Sequence, residues 1–126
     1  MILLDTCALL WLVYDQKKIS LKTLHKIDEA PIIYISSITG FEIGIKSISG
    51  KLKLPQPPKQ WLKSILEFHD IRVINLDMDI CIKSTELPVI HRDPCDRFII
   101  ATAIMKSLPV VTTDEHFKEY GIDIMI

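Results

Sequence analysis

The stretch Ile2-Leu-Leu-Asp-Thr-Cys-Ala-Leu-Leu-Trp-Leu12 decides the architecture. Its first three residues are apolar without alternation, so a strand here has both faces covered, as in a parallel sheet. A carboxylate, Asp5, ends the run, and helical spacing follows over Ala8 to Tyr14. The same order recurs along the chain. Apolar runs rich in β-branched residues at Ile32–Ser36, Arg72–Leu76, Val110–Thr113 and, weakly, Asp123–Ile126 predict further strands. Between them lie helical patterns: Leu21, Leu24, Ile27; Phe41, Ile45, Ile48; Trp61, Ile65, Leu66, Phe68; Ile80–Leu87; Phe98–Met105; and a short Glu115–Tyr120. Strands alternating with helices predict an α/β domain whose parallel sheet is sandwiched by helices. Phe98–Met105 is apolar nearly all round and predicts a deeply covered helix, stopped at Lys106-Ser-Leu-Pro109.

With 126 residues, 48% hydrophobic and 25% charged, the chain fits one globular core and excludes a disordered or fibrous class. The longest uncharged run, Ala30 to Phe41, falls short of the ~18 residues of a membrane span. The first residues lack a basic segment and carry an acid at position 5, so a cytoplasmic location is expected. Cys7, Cys81 and Cys95 are odd in number and widely spaced, which fits reduced thiols and neither a disulfide framework nor a zinc knuckle. The net charge of -1 conceals a division: residues 1–63 hold nine Lys against five acids, and residues 64–126 hold six Lys and Arg against eleven acids. Lys46, Lys51, Lys53, Lys59 and Lys63 form a basic band around the Pro-rich loop Leu54–Pro58, either a solvated surface or a track for a phosphate backbone.

Four acids occupy similar places. Asp5 and Asp114 each end a predicted strand, Glu42 lies one turn into the helix after the second strand, and Asp96 lies one turn into the covered helix. Each has an ordinary structural reading: N-caps for Asp5 and Asp114, capping boxes for Thr39-x-x-Glu42 and Asp93-Pro94-x-Asp96, and a Glu42–Lys46 pair. Together they point elsewhere, because strand-to-helix turns of a parallel sheet share one edge. Carboxylates ~6 Å apart at an effective dielectric of ~20 repel by up to about 3 kcal/mol per pair. Protonation or a bound cation must relieve that. An all-oxygen set suits Mg²⁺ or Mn²⁺ and not zinc, and such sites act on phosphates.

The order and spacing of these segments resemble the PIN domain family, and within it the VapC-like ribonuclease toxins of prokaryotic toxin–antitoxin pairs. The resemblance is carried by Leu3–Leu12, by Ser36 through Phe41-Glu-Ile-Gly-Ile-Lys46 with Gly50-Lys-Leu-x-Leu-Pro55, by His91-Arg-Asp-Pro-Cys-Asp-Arg-Phe-Ile-Ile-Ala-Thr-Ala103, and by Leu108–Asp114. It implies a single PIN-like, Rossmann-like domain over residues 1–126, with about five strands in the order 3-2-1-4-5. It further implies a Mg²⁺- or Mn²⁺-dependent endoribonuclease that leaves a 5′-phosphate and a 3′-hydroxyl. Its partners would be RNA, a cognate antitoxin protein and a second copy in a homodimer, with no membrane. By position, Asp5, Glu42, Asp96 and Asp114 match the acidic quartet. Asp5 and Asp96 match the principal metal ligands, Asp114 a ligand that binds directly or through water, and Glu42 a residue that holds a metal-bound water or orients the attacking one. Thr6 and Thr113 resemble supporting hydroxyls. Cys7, Gly40-Phe41 and Cys95 depart from the family pattern without touching an acid.

Asp93, before Pro94, reads as an N-cap; Arg92 and Arg97 either hold a scissile phosphate or offset the acids; His91 reads as the residue that leads into the helix. Trp11, Phe41, Trp61 and Phe68 read as core or dimer surface. Two other functions compete. One is a catalytically silent binding module, disfavoured by the intact acids. The other is a signalling receiver with Asp77 as phosphoacceptor, which lacks the paired acids and the Lys such a site requires.

Overall fold

A computed structural model describes residues 1–126. Strand β1 (Ile2–Leu4) is three residues long and wholly buried, and its pleat sends neighbours to opposite layers. Ile2 and Leu4 join the core beneath α1 (Thr6–Tyr14), α2 (Leu21–Glu29), α3 (Ile38–Ile48) and α4 (Pro58–Phe68), with Leu9, Ile27, Ile43 and Trp61. Leu3 joins the other core, with Ile80 of α5 (Met78–Glu86), Ile99 and Ile100 of α6 (Pro94–Lys106), and Phe117. Two dry faces explain why the strand shows no apolar–polar alternation.

The sheet is five-stranded and parallel, in the order β3-β2-β1-β4-β5, with β2 at Ile33–Ser36, β3 at Ile71–Ile74, β4 at Val110–Val111 and β5 at Ile124–Met125. All five strands and the strand order match expectation. Short 3-10 turns at Gln16–Lys18 and Glu115–Tyr120 complete the chain. Helix α6 buries five consecutive residues, Ile99 to Ala103, as its all-round apolar character requires. It ends at Ser107, which takes a left-handed conformation at φ 55°.

Several boundaries differ from expectation. Helix α3 starts at Ile38, because the Ser36 hydroxyl accepts the Ile38 N–H and turns the chain at once. Strand β3 starts at Ile71, earlier than expected, where Asp70 at φ 52° sets the chain into register with Ile33. Strand β4 covers only two residues, leaving Thr112 and Thr113 beyond the ladder. The receiver reading fails on topology. Receiver-like sheets run 2-1-3-4-5, whereas β3 here is an edge strand and Asp77 caps α5 by accepting the Ile80 N–H. No helix is long and apolar enough to cross a membrane.

Candidate functional site

Parallel strands β1, β2 and β4 deliver their C-terminal ends to one edge of the sheet, and the four acids collect there. Asp5 is 8% exposed. Its backbone N–H donates to the Val111 carbonyl, and its Oδ1 accepts the Ala8 N–H at 2.8 Å, so it does cap α1. Burial pushes its carboxyl above the usual range; the Thr112 hydroxyl and the Ala8 N–H oppose this, while Glu42 and Asp114 add to it. Capping alone does not account for a carboxyl held this deep with two further acids beside it.

Glu42 lies one turn into α3, and the Thr6 hydroxyl donates to its Oε1 at 2.7 Å. Thr6 Oγ1 also lies 2.9 Å from the hydroxyl of buried Thr39. The Thr39–Glu42 capping box therefore does not form: Thr39 sits inside the helix and its hydroxyl faces α1. Nor does Glu42 pair with Lys46. The only ion pairs involve His91 with Asp96 and Asp114, His116 with Glu119, and Lys118 with Glu115.

Asp96 sits in the first turn of α6, behind Pro94. Burial, and then Asp93, push its carboxyl up to about 7; His91 lowers it, and Glu42 and Asp5 raise it further. Asp93 is the N-cap, accepting the Cys95 N–H at 2.9 Å. Its own N–H goes to His91 Nδ1 at 3.3 Å, so the second capping box is absent too and Asp96 is left free to face the acids. Asp114 caps the following turn through Oδ1, which accepts the His116 N–H, and presents Oδ2 to His91.

His91 does lead into α6, its Nδ1 accepting the N–H of the N-cap Asp93, and it also meets two of the acids. Its Nε2 lies 2.7 Å from Asp114 Oδ2 and 3.0 Å from Asp96 Oδ2. No local spacing signals this, because the contact depends on how a loop between two helices folds back. Thr113 needs correction. It is exposed, and the hydroxyl that acts on the acids is that of buried Thr112, which accepts the Asp114 N–H at 3.0 Å and opposes the rise of the Asp5 carboxyl. The register contained that signal: Leu4 pairs with Val111, so the next residues along, Asp5 and Thr112, are neighbours. Arg97 also requires correction. Its guanidinium donates to the carbonyls of Ser84, Leu87, Pro88 and His91 at 2.8–3.0 Å, binding the end of α5 and the following loop, so its donors are spent on backbone.

The carboxylates fit a hard divalent cation. Asp96 and Asp114 each offer an oxygen, and the two lie with a nitrogen of His91 within 4.8 Å of one another. No Lys or Arg pairs with any of the four acids, and His91 alone does not keep the Asp96 carboxyl from rising to about 7. The thiols of Cys7 and Cys95 flank the site. Burial, and then Asp5, raise the first; burial, and then Glu42, push the second up to about 11, so both stay protonated. Lys46 is half-buried near Cys7, and Lys51, Lys53, Lys59 and Lys63 are exposed.

Comparison with known proteins agrees with the topology. The chain is 25% identical over 120 residues to Ribonuclease VapC22 of Mycobacterium tuberculosis, covering 94% of this chain and 91% of that protein. Its fold is similar to a chain of VapBC2 from Rickettsia felis bound to a DNA fragment from their promoter, with TM-score 0.73, 19% identity, and coverage of 98% and 97% of the two chains. It is similar too to a chain of DNA-bound VapBC from Salmonella typhimurium (TM-score 0.70, 23% identity, 98% and 97% covered) and to one of FitAcB from Neisseria gonorrhoeae (TM-score 0.69, 23% identity, 100% and 97% covered). The PIN domain family model matches residues 2–123, and with the sheet order and the acids at its edge this places the chain in the PIN domain family.

Proposed function

We propose that this chain is a VapC-type endoribonuclease, dependent on Mg²⁺ or Mn²⁺, that acts as the toxin of a toxin–antitoxin pair. The observation that carries the reading is the gathering of Asp5, Glu42, Asp96 and Asp114 at one sheet edge without a neutralising Lys or Arg. Asp5, Asp96 and Asp114 would hold the cation. When bound, such an ion withdraws charge from a phosphoryl oxygen and makes water more acidic.

The remaining chemistry belongs to the chain. Thr6 occupies one oxygen of Glu42 and leaves the other free to accept a proton from the attacking water. That water forms the new P–O bond, the P–O3′ bond breaks, the 3′ oxygen takes up a proton from solvent and Glu42 releases its proton to solvent, leaving a 5′-phosphate and a 3′-hydroxyl. Thr112 holds the Asp114 backbone through its hydroxyl, and the Asp5 N–H is held by the Val111 carbonyl, so the acids keep their geometry despite mutual repulsion. The lysines from Lys46 to Lys63 supply sequence-independent attraction for the RNA backbone.

A cognate antitoxin, a second copy of the chain and a cytoplasmic location complete the proposal. The relatives in VapBC and FitAB complexes support the partner, and the exposed apolar side chains of Phe41, Ile45 and Ile48 on α3 supply surface for one. The test is cleavage of a labelled single-stranded RNA by purified chain. Activity is expected with Mn²⁺ or Mg²⁺, lost in EDTA and restored by either ion; undiminished cleavage in EDTA contradicts the reading.

A further inference from the structure

The imidazole of His91 occupies the gap between two carboxylates that the proposed function assigns to the cation. Three observations describe how it is held there. The His91 N–H donates to the Tyr120 hydroxyl at 2.8 Å, as does the Ile90 N–H at 3.2 Å, and that hydroxyl donates to the Pro88 carbonyl at 2.7 Å. Arg97 grips the His91 carbonyl at 2.9 Å, so the backbone is tied on both sides. The ring packs edge-on to Phe117 and His116, with centroids 6.2 and 5.8 Å away, and its side chain is 14% exposed.

The tautomer follows from the neighbours. Nδ1 accepts the Asp93 N–H at 3.3 Å, so in the neutral ring the proton lies on Nε2, the atom that meets Asp114 Oδ2 at 2.7 Å and Asp96 Oδ2 at 3.0 Å. A protonated Nε2 has no lone pair to offer a metal. It is a donor shared by two acids, as an ion would be shared.

We propose that His91 is a positioning residue that stands in for the cation: its Nε2–H holds Asp96 and Asp114 together in the ion-free protein and withdraws when the ion binds. The pinned backbone makes the ring the moving part. The inference rests on the cation-site reading of these acids and goes beyond it, because a metal ligand and a stand-in have opposite effects on affinity. Removing a ligand weakens metal binding; removing a competitor strengthens it.

The test is Mn²⁺ binding to the full chain at fixed pH, by calorimetry and by electron paramagnetic resonance, for the wild type and His91→Ala. The variant should bind Mn²⁺ about tenfold more tightly, the worth of one charge-assisted hydrogen bond no longer to be broken. A merely structural role for His91 predicts weaker binding, and equal or weaker binding overturns the proposal. A wild-type measurement needs no variant to fold: spin-echo spectra of bound Mn²⁺ should show no nitrogen coupling from a coordinated imidazole, and such coupling overturns the stand-in role while leaving the cation site intact. Failure of Mn²⁺ to bind either protein overturns the cation site and the proposal together.

Discussion

Thr6 Oγ1 lies 2.7 Å from Glu42 Oε1, a bond across 36 positions of sequence that ties the first turn of α1 to α3. Thr6 and its neighbour Thr39 are buried while Glu42 is only partly so, and the bond fixes the carboxylate at the rim of the core. Thr6→Val removes the donor while keeping the shape. Cleavage should fall about tenfold to a hundredfold, the equivalent of ~1–3 kcal/mol of lost positioning, and Thr6→Ser should recover most of it. Single-turnover cleavage by the two variants, with circular dichroism to confirm the fold, reads the difference.

Thr112 and Thr113 are adjacent in sequence but not in role. Thr112→Val strips a hydroxyl that accepts the Asp114 N–H and lowers the Asp5 carboxyl, so it should lower cleavage by about tenfold or more. Thr113→Val, at an exposed position, should leave the rate within about twofold. Parallel assays of the two variants separate register from adjacency as the determinant.

Asp96 gives stability a pH dependence of definite sign. Its folded carboxyl stands at about 7 against an ordinary 3.8, so between those values the folded chain binds more protons than the unfolded one. Stability in EDTA should therefore be fullest below about pH 4 as far as this group is concerned, and fall as pH rises toward about 7. Asp5, also raised by burial, acts in the same direction. Thermal melts in EDTA should show a shallower decline between pH 5 and pH 7.5 for Asp96→Asn than for the wild type. Added Mn²⁺ should raise the wild-type Tm more at the higher pH, because ligation requires the carboxylate.

Arg97 is a structural clamp. Arg97→Met leaves four carbonyls to find new partners and should cost about 2–4 kcal/mol, read as a lower midpoint in urea. Arg97→Lys should recover little, since an ammonium lacks the planar fork that reaches several carbonyls at once.

Ser107 ends α6 at φ 55°, a conformation that costs a residue with a Cβ about 1 kcal/mol or more relative to glycine. Ser107→Gly should raise stability by roughly 0.5–1 kcal/mol in chemical denaturation without altering cleavage.

The elements were legible because apolar continuity in Ile2–Leu4 and Val110–Val111 records burial on both faces, and the helical runs record one-sided burial. The edge that gathers the acids followed from parallel connectivity alone. Contacts set between distant segments were not legible. Thr112 faces Asp5 through strand register, whereas sequence adjacency to Asp114 had favoured Thr113. Arg97, one position after Asp96, is turned by about 100° on the helix and reaches α5 instead of the acids. His91 meets Asp114 only because Tyr120 and Arg97 fold its loop back.

That the acids at the sheet edge cut RNA is read out by mapping new 5′ ends across total RNA after brief induction of the wild type and of Asp96→Asn. That chemistry requires discrete new 5′-phosphate ends with the wild type and none with the variant, at equal amounts of folded protein. The same ends appearing with both proteins would contradict it.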